Sequence, residues 1–375
     1  DLHLSIRRQR QMCIRDTDRS GSRRSYYSGK GSDCGYHTKI RKGYTIMIKG
    51  FTYGWDGHRG MYKTDSSFIS MQRMAAMGGN WAALAFSVRQ EHFSSSRFGF
   101  DYRYTVTDRE IITAIERLKS LGLKVCLKPV VDCEDGVWRA HISFPDIEFP
   151  VIKSVTGKKF SNGYWDEWFS CYNAFICHYA EIAEDTGCEM LCIGCEMLGT
   201  EHKEDYWRRL IKDVRKIYHG KLIYNTNHGC EENVAWFDAV DYIGTSAYYP
   251  VGREGDTVED MIKGWEKVKP HLRKVSEKFG GKKIVFIEIG CRSAAECASM
   301  PWDFNHVENP YDEDEQNKFY ESALKAFWDE PWFDGFFWWD WATNLYDIEK
   351  ARADTGFSIY GKKAEKTLTD WYTNR

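Results

Sequence analysis

Two apolar runs, each ending in a glutamate, decide how this chain is read: Glu189–Met197, EMLCIGCEM, and Lys282–Gly290, KKIVFIEIG. Both are of strand length and almost unbroken in apolar character, the pattern of strands buried on both faces in a parallel sheet. A glutamate at the end of such a strand is conspicuous, because an unpaired buried charge is expensive. Working outward from Met190–Glu196 and Ile284–Ile289, comparable runs lie at Ile46–Tyr53, Trp81–Ser87, Lys124–Val131, Leu222–Thr226, Tyr242–Ala247 and Gly335–Trp341.

Between the strands lie helix-like stretches. Arg109–Leu121, with Asp108 as the expected cap, stops at Gly122. Asp166–Thr186 carries apolar residues at Phe169, Tyr172, Phe175, Ile176, Tyr179 and Ile182, which is helical spacing. Glu204–Tyr218, Val258–Phe279 and Asp314–Trp328 complete the set. Alternation of strand and helix means a parallel sheet covered by helices. Eight such units favour a closed (β/α)8 TIM barrel in one domain over an open doubly wound sheet. The turn after the first strand, Gly54–Gly60, lacks the glycine spacing of a dinucleotide loop, and no cofactor is expected.

Composition sets bounds. Of 375 residues, 42% are hydrophobic, enough for one large core, and the net charge of −3 leaves no footprint for nucleic acid or an anionic membrane. No apolar run approaches the roughly 20 residues that span a bilayer. The 12 cysteines are too sparse in a chain of this size for a disulfide scaffold, and several sit in apolar runs (Cys126, Cys177, Cys192), so they are read as reduced thiols. No secretory signal is visible in the first 30 residues, although the chain starts without Met, and a cytoplasmic location is the expectation. Residues 1–42, basic and rich in Ser and Gly, read as a disordered or foreign extension, leaving 43–375 as the catalytic domain.

In a barrel the chemistry sits at the carboxyl ends of the strands. There the sequence places Glu196 and Glu288. Strand alternation puts Glu196 on one face with Cys192 and Gly194, and Glu288 on one face with Ile284 and Phe286. If both faces point inward, the carboxyls converge at the mouth, as glycoside hydrolysis requires. Asp132 and Asp340 are the rival carboxylates. Lys128, Asp132, Asn225, Asn227, His228, Tyr248, Tyr249 and the Trp338–Trp339–Trp341 cluster fall at other strand ends, and Trp55 and Trp138 in expected loops. Lys128, Asp132, Asn227, His228, Tyr248, Trp55, Trp138 and Trp339 are the expected substrate contacts. Burial at the end of FIEIG would favour a neutral Glu288, and a hydrogen bond from Tyr248 is the expected means of keeping it ionised. A metal reading is weak. Cys192 and Cys195 should face opposite ways, and only His228 and Asp132 come near a barrel metal set, so no metal is expected.

The stretches KGFTYGW, MGGNWAAL, GLKVCLKPVVD, GVWRAHI, DYIGTSAYYP, FIEIGCRS and FFWWDW, with the long run ending IGCEM, resemble glycoside hydrolase family 113, a β-mannanase family of the clan A retaining barrels. The resemblance implies a double displacement with Glu196 as acid/base and Glu288 as nucleophile. It also implies that Tyr248 positions the nucleophile, that Trp339 floors the −1 subsite, and that the partner is an oligosaccharide, most simply a β-1,4-manno-oligosaccharide. Two positions depart from the pattern: Cys195 stands where many clan A enzymes have Asn, and Val130 where similar sequences have His. Xylan, glucan and chitosan therefore stay open as alternatives, as does an inactive carbohydrate-binding barrel.

Overall fold

In the computed structural model, which describes residues 47–146, 154–157 and 163–375, the sheet closes into a barrel of eight parallel strands in chain order. The strands are β1 Ile48–Tyr53, β2 Trp81–Gln90, β3 Lys124–Cys133, β4 Met190–Cys195, β5 Lys221–Asn227, β6 Tyr242–Ser246, β7 Ile284–Ile289 and β8 Phe333–Trp341. The helices are α1 Asp65–Ala75, α2 Asp108–Ser120, α3 Tyr164–Thr186, the single turn α4 Leu198–Glu201, α5 Glu204–Val214, α6 Val258–Lys278, α7 Glu313–Phe327 and α8 Lys363–Asn374. Residues 1–42, read as an extension, lie outside the described residues. No described helix is long and apolar enough to cross a membrane.

The elements follow the sequence with instructive differences. Helix α2 is capped by Thr107 rather than Asp108. The Thr107 side chain accepts from the Glu110 N–H while the Glu110 carboxylate accepts from the Thr107 N–H. Asp108 is instead the first helical residue and pairs with His178. Strand β3 runs to Cys133, so Asp132 ends a strand instead of opening a loop. Helices α1 and α8 escape the periodicity reading because their buried faces carry weak signals: Ser67 and Ser70 beside Met71 and Met74 in α1, Ala364 and Glu365 beside Leu368 and Tyr372 in α8. The β5–β6 connection has two 3-10 turns where a helix would stand, Glu231–Asn233 and Phe237–Ala239.

Two apolar layers hold the barrel. Outside it, helix faces pack on outward strand residues. Phe286 of β7, for example, meets Phe327 of α7 at 4.7 Å between ring centroids and Trp265 of α6 at 6.1 Å. Inside, Trp81, Cys126, Met190, Cys192, Ile223, Val285, Ile287 and Phe337 fill the lumen. That plug is why the barrel is a core and not a pore.

The inner layer also overturns the simple alternation reading. Val285 and Ile287 point inward, and Ile284 and Phe286 point out. Strict alternation would then turn Glu288 outward too. A bulge prevents this: Phe286 pairs with Thr245, and Glu288, not Ile287, pairs with the next residue, Ser246. In β4 Cys192 pairs with Ile223 and Cys195 with Asn225, so one extra residue is accommodated there as well. Ile193 belongs to the outer layer, and a Cβ on Gly194 would meet the Tyr224 ring at 2.7 Å and the Trp207 ring at 2.9 Å, so Gly194 also faces outward. Cys192 and Cys195 therefore both face the lumen, contrary to the expected opposition. Glu196 follows in the left-handed region, φ 54°. Both glutamates reach the mouth through local irregularities, the devices that re-aim side chains next to active sites.

Candidate active site

Glu288 is buried and surrounded by donors from three other strands and the β6 end. The ammonium of Lys128, on β3, makes an ion pair with Oε1. Asn225 Nδ2 of β5 donates to the same oxygen at 3.0 Å, and the Cys195 thiol of β4 at 3.3 Å. Tyr248 Oη donates to Oε2 at 3.2 Å. Burial alone would raise this carboxyl, but the Lys128 charge and hydrogen bond, with help from Arg139, outweigh it and hold Glu288 below the ordinary glutamate range. The expected Tyr248 bond exists, yet Lys128 is the larger influence. Lys128, expected as a substrate contact, is wholly buried and turned to Glu288.

Glu196 has different company. Asn227 Nδ2 donates to Oε1 at 3.1 Å, while Arg139 Nη1 and the Trp138 indole N–H reach Oε2 at 3.1 and 3.3 Å. Burial and then the negative charge of Glu288 raise its carboxyl, against the opposing pull of Arg139. The two carboxyls are linked through side chains, since Ser246 contacts Glu196 and its hydroxyl donates to Asn225 Oδ1 at 3.2 Å.

Aromatic rings flank the pair. Trp339 and Trp55 are half-buried, with centroids 5.4 Å apart, and Lys128 Nζ lies 5.8 Å from the Trp339 ring centre. On the Asn227 side, His228 stacks on Trp302 at 5.4 Å and 24°, and meets Tyr249 edge-on at 5.3 Å. Trp138 and Trp302 are each 44% exposed, unusual for tryptophan in a protein otherwise thick with buried rings. Tyr249 itself donates to the buried Glu231, away from the glutamate pair. Asp132 lies 4.0 Å from Arg139 Nε. Asp340 is half-buried; burial, then Asp56 and Asp354, push its carboxyl up to about 7.

The residues missed in the sequence are Arg139 and Ser246 around the glutamates, and Trp302 in the loop after β7; Cys195 is legible there as a departure, but not as a donor to Glu288. Arg139 had a signal, standing beside the loop aromatic Trp138. Cys195 and Ser246 are brought in by the bulges, which no periodicity announces. Among the described residues no three of His, Cys, Asp and Glu stand together as a metal site, and no cysteine forms a disulfide.

One carboxylate held ionised and one carboxyl biased toward its neutral form, electrostatically coupled over a plugged barrel, is the equipment for displacement at a sugar anomeric carbon. Comparison with known proteins agrees. The glycoside hydrolase family 113 model matches residues 51–362. A family 113 β-mannanase from Alicyclobacillus acidocaldarius, solved with ManMIm, is 40% identical, with a TM-score of 0.77 over 88% of this chain and 98% of that one. Two further structures of family 113 β-1,4-mannanase, one of them a complex, are 37% and 36% identical, each with a TM-score of 0.78 over 88% of this chain and all of theirs. No curated protein matches the chain. With the family model covering most of the sequence and the barrel and glutamate pair in place, the chain belongs to glycoside hydrolase family 113 and is a glycoside hydrolase.

Proposed function

We propose that this enzyme is a retaining β-mannanase acting on β-1,4-linked manno-oligosaccharides, with Glu288 as nucleophile and Glu196 as acid/base. The observation that carries the reading is the opposite treatment of the two glutamates. Glu288 has a lysine ammonium and three neutral donors holding it as a carboxylate. Glu196 has burial and the neighbouring anion raising its carboxyl toward the neutral form. Three structures that it resembles at 36–40% identity are β-mannanases, two of them β-1,4-mannanases, which supports the choice of sugar.

In the first step a Glu288 oxygen attacks the anomeric carbon while Glu196 gives its proton to the departing glycosidic oxygen. The product is a glycosyl ester of Glu288 and a shortened sugar. In the second step Glu196, now a carboxylate, takes a proton from water. The water oxygen bonds to the anomeric carbon, the ester C–O bond breaks, and Glu288 leaves as the carboxylate. Trp339, backed by Trp55, offers the apolar floor for the sugar under attack. The His228–Trp302 stack, beside Asn227 and hence on the acid's side, offers a surface for the leaving sugar.

Proton NMR of mannohexaose hydrolysis tests this directly. The β-anomer of the new reducing end should appear first and relax to the α/β mixture. An α-anomer appearing first would mean inversion. Turnover of xylo-, gluco- or chitosan oligosaccharides with none on mannose would replace the sugar while leaving the mechanism, and no turnover on any of them would leave only a sugar-binding barrel.

A further inference from the structure

We propose that Arg139 is the positioning residue for the second half of the reaction: its guanidinium holds Glu196 as the carboxylate that deprotonates water. The inference rests on Glu196 being the acid/base.

Glu196 must change character once per turnover, a proton donor in the first step and a proton acceptor in the second. Its surroundings contain one group that changes and one that does not. The changing group is Glu288. As a carboxylate it opposes ionisation of Glu196; as a glycosyl ester it is neutral and that opposition ends. The fixed group is Arg139, donating to Oε2 at 3.1 Å.

The other neighbours cannot do this work. Asn227, Trp138 and Ser246 are neutral. Tyr248 and Cys195 are buried and held protonated, burial being the main cause in each. Lys128, the other cation facing the pair among the described residues, is bonded to the nucleophile and not to Glu196. Arg139 is itself held in place. It is 9% exposed, its guanidinium lies 5.5 Å from the Trp55 ring centre, and Asp132 stands 4.0 Å from Nε. Among the described residues its Nε finds no hydrogen-bond partner, and it is Nη1 that reaches Glu196. An arginine is always charged, so its pull is the same in both steps, and it decides the outcome only when the Glu288 charge has gone.

The test separates the half-reactions. With 2,4-dinitrophenyl β-mannoside the leaving group departs without acid help, so kcat reports the second step. In Arg139→Met, kcat should fall by roughly tenfold or more, a fraction of what a general base contributes. A burst of dinitrophenolate should appear, because the glycosyl-enzyme accumulates. The acidic limb of kcat should move to higher pH, since Glu196 without its cation holds its proton longer, while kcat/KM should fall by a smaller factor than kcat, since Arg139 gives Glu288 only secondary help beside Lys128. Arg139→Lys should recover most of kcat and return the limb. If kcat and kcat/KM instead fall by the same factor with the limb unmoved, Arg139 only packs and the inference is wrong. Should the Met variant not fold, Arg139→Gln, neutral and hydrogen-bonding, carries the same comparison. Glu196→Gln is the control: if it hydrolyses the glycosyl-enzyme at the normal rate, the assignment of Glu196 has failed and not the role of Arg139.

Discussion

Replacing Lys128 with Met tests what holds the nucleophile ionised. The substitution keeps an unbranched side chain one atom shorter and removes the charge. Lys128 is wholly buried and Glu288 nearly so, and their ion pair lies above the lumen plug. Taking one partner from a buried pair costs about 3–5 kcal/mol, because the remaining charge is uncompensated. Asn225, Cys195 and Tyr248 still donate to Glu288, which places the expected cost near the lower end, about 3 kcal/mol. The sign of its pH dependence follows. In the native enzyme the Glu288 carboxyl lies below its unfolded value, so its stabilisation is present above that value and is lost as the pH falls through the folded one. In the variant burial dominates and the folded value lies above the unfolded one. The penalty is then full at high pH and fades as Glu288 takes up a proton. At 1.36 kcal/mol per unit, about 3 kcal/mol corresponds to about two pH units. Urea unfolding at about pH 5 and about pH 8 should show a smaller loss at the lower pH, and the acidic limb of kcat/KM should rise by about two units. An equal loss at both pH values with the limb unmoved would refute the argument.

Other substitutions probe the supports. Gly194→Ala puts a methyl into the Tyr224 and Trp207 rings, an overpacking cost of about 1–3 kcal/mol in urea unfolding, and activity should fall further than stability because the bulge that delivers Glu196 shifts. Tyr248→Phe removes a hydrogen bond to a charged group, worth about 1.5 kcal/mol, so kcat/KM should drop roughly tenfold with its acidic limb displaced upward; an unchanged limb would remove Tyr248 from the nucleophile's support. Thr107→Ala, at the α2 cap remote from the glutamates, should cost about 1 kcal/mol of stability in the same unfolding assay and leave kcat/KM alone.

The barrel was legible because its strands are buried on both faces and so stand out as apolar runs, and because the helices between them are mostly capped and periodic. What stayed hidden were elements whose buried faces are not apolar, α1 with its serines and α8 with Ala364 and Glu365. The two glutamates were legible for a partly mistaken reason. Alternation counted from Phe286 pointed Glu288 inward, yet Phe286 faces the helices, and it is the bulge that brings Glu288 round. The same irregularity on β4 turns Cys195 toward Glu288. Bulges answer to three-dimensional packing, here the fit of Gly194 against Trp207 and Tyr224, and leave no period in the sequence. The electrostatics were hidden for a related reason. Lys128 is 160 positions from Glu288, and only closure of the barrel makes them partners.

The central claim is that Glu288 is the nucleophile and Glu196 the acid/base, and chemical rescue tests it most directly. Glu288→Ala should fold, since the side chain vacates the mouth and not the lumen plug, and should lose several orders of magnitude in turnover of manno-oligosaccharides as covalent catalysis disappears. Azide should enter the vacated space and restore cleavage of an activated aryl β-mannoside. The product predicted is the α-mannosyl azide, because the anion attacks from the side of the missing carboxylate. Isolation of the β-azide would show that Glu288 had been the acid/base, and the two roles would have to be exchanged.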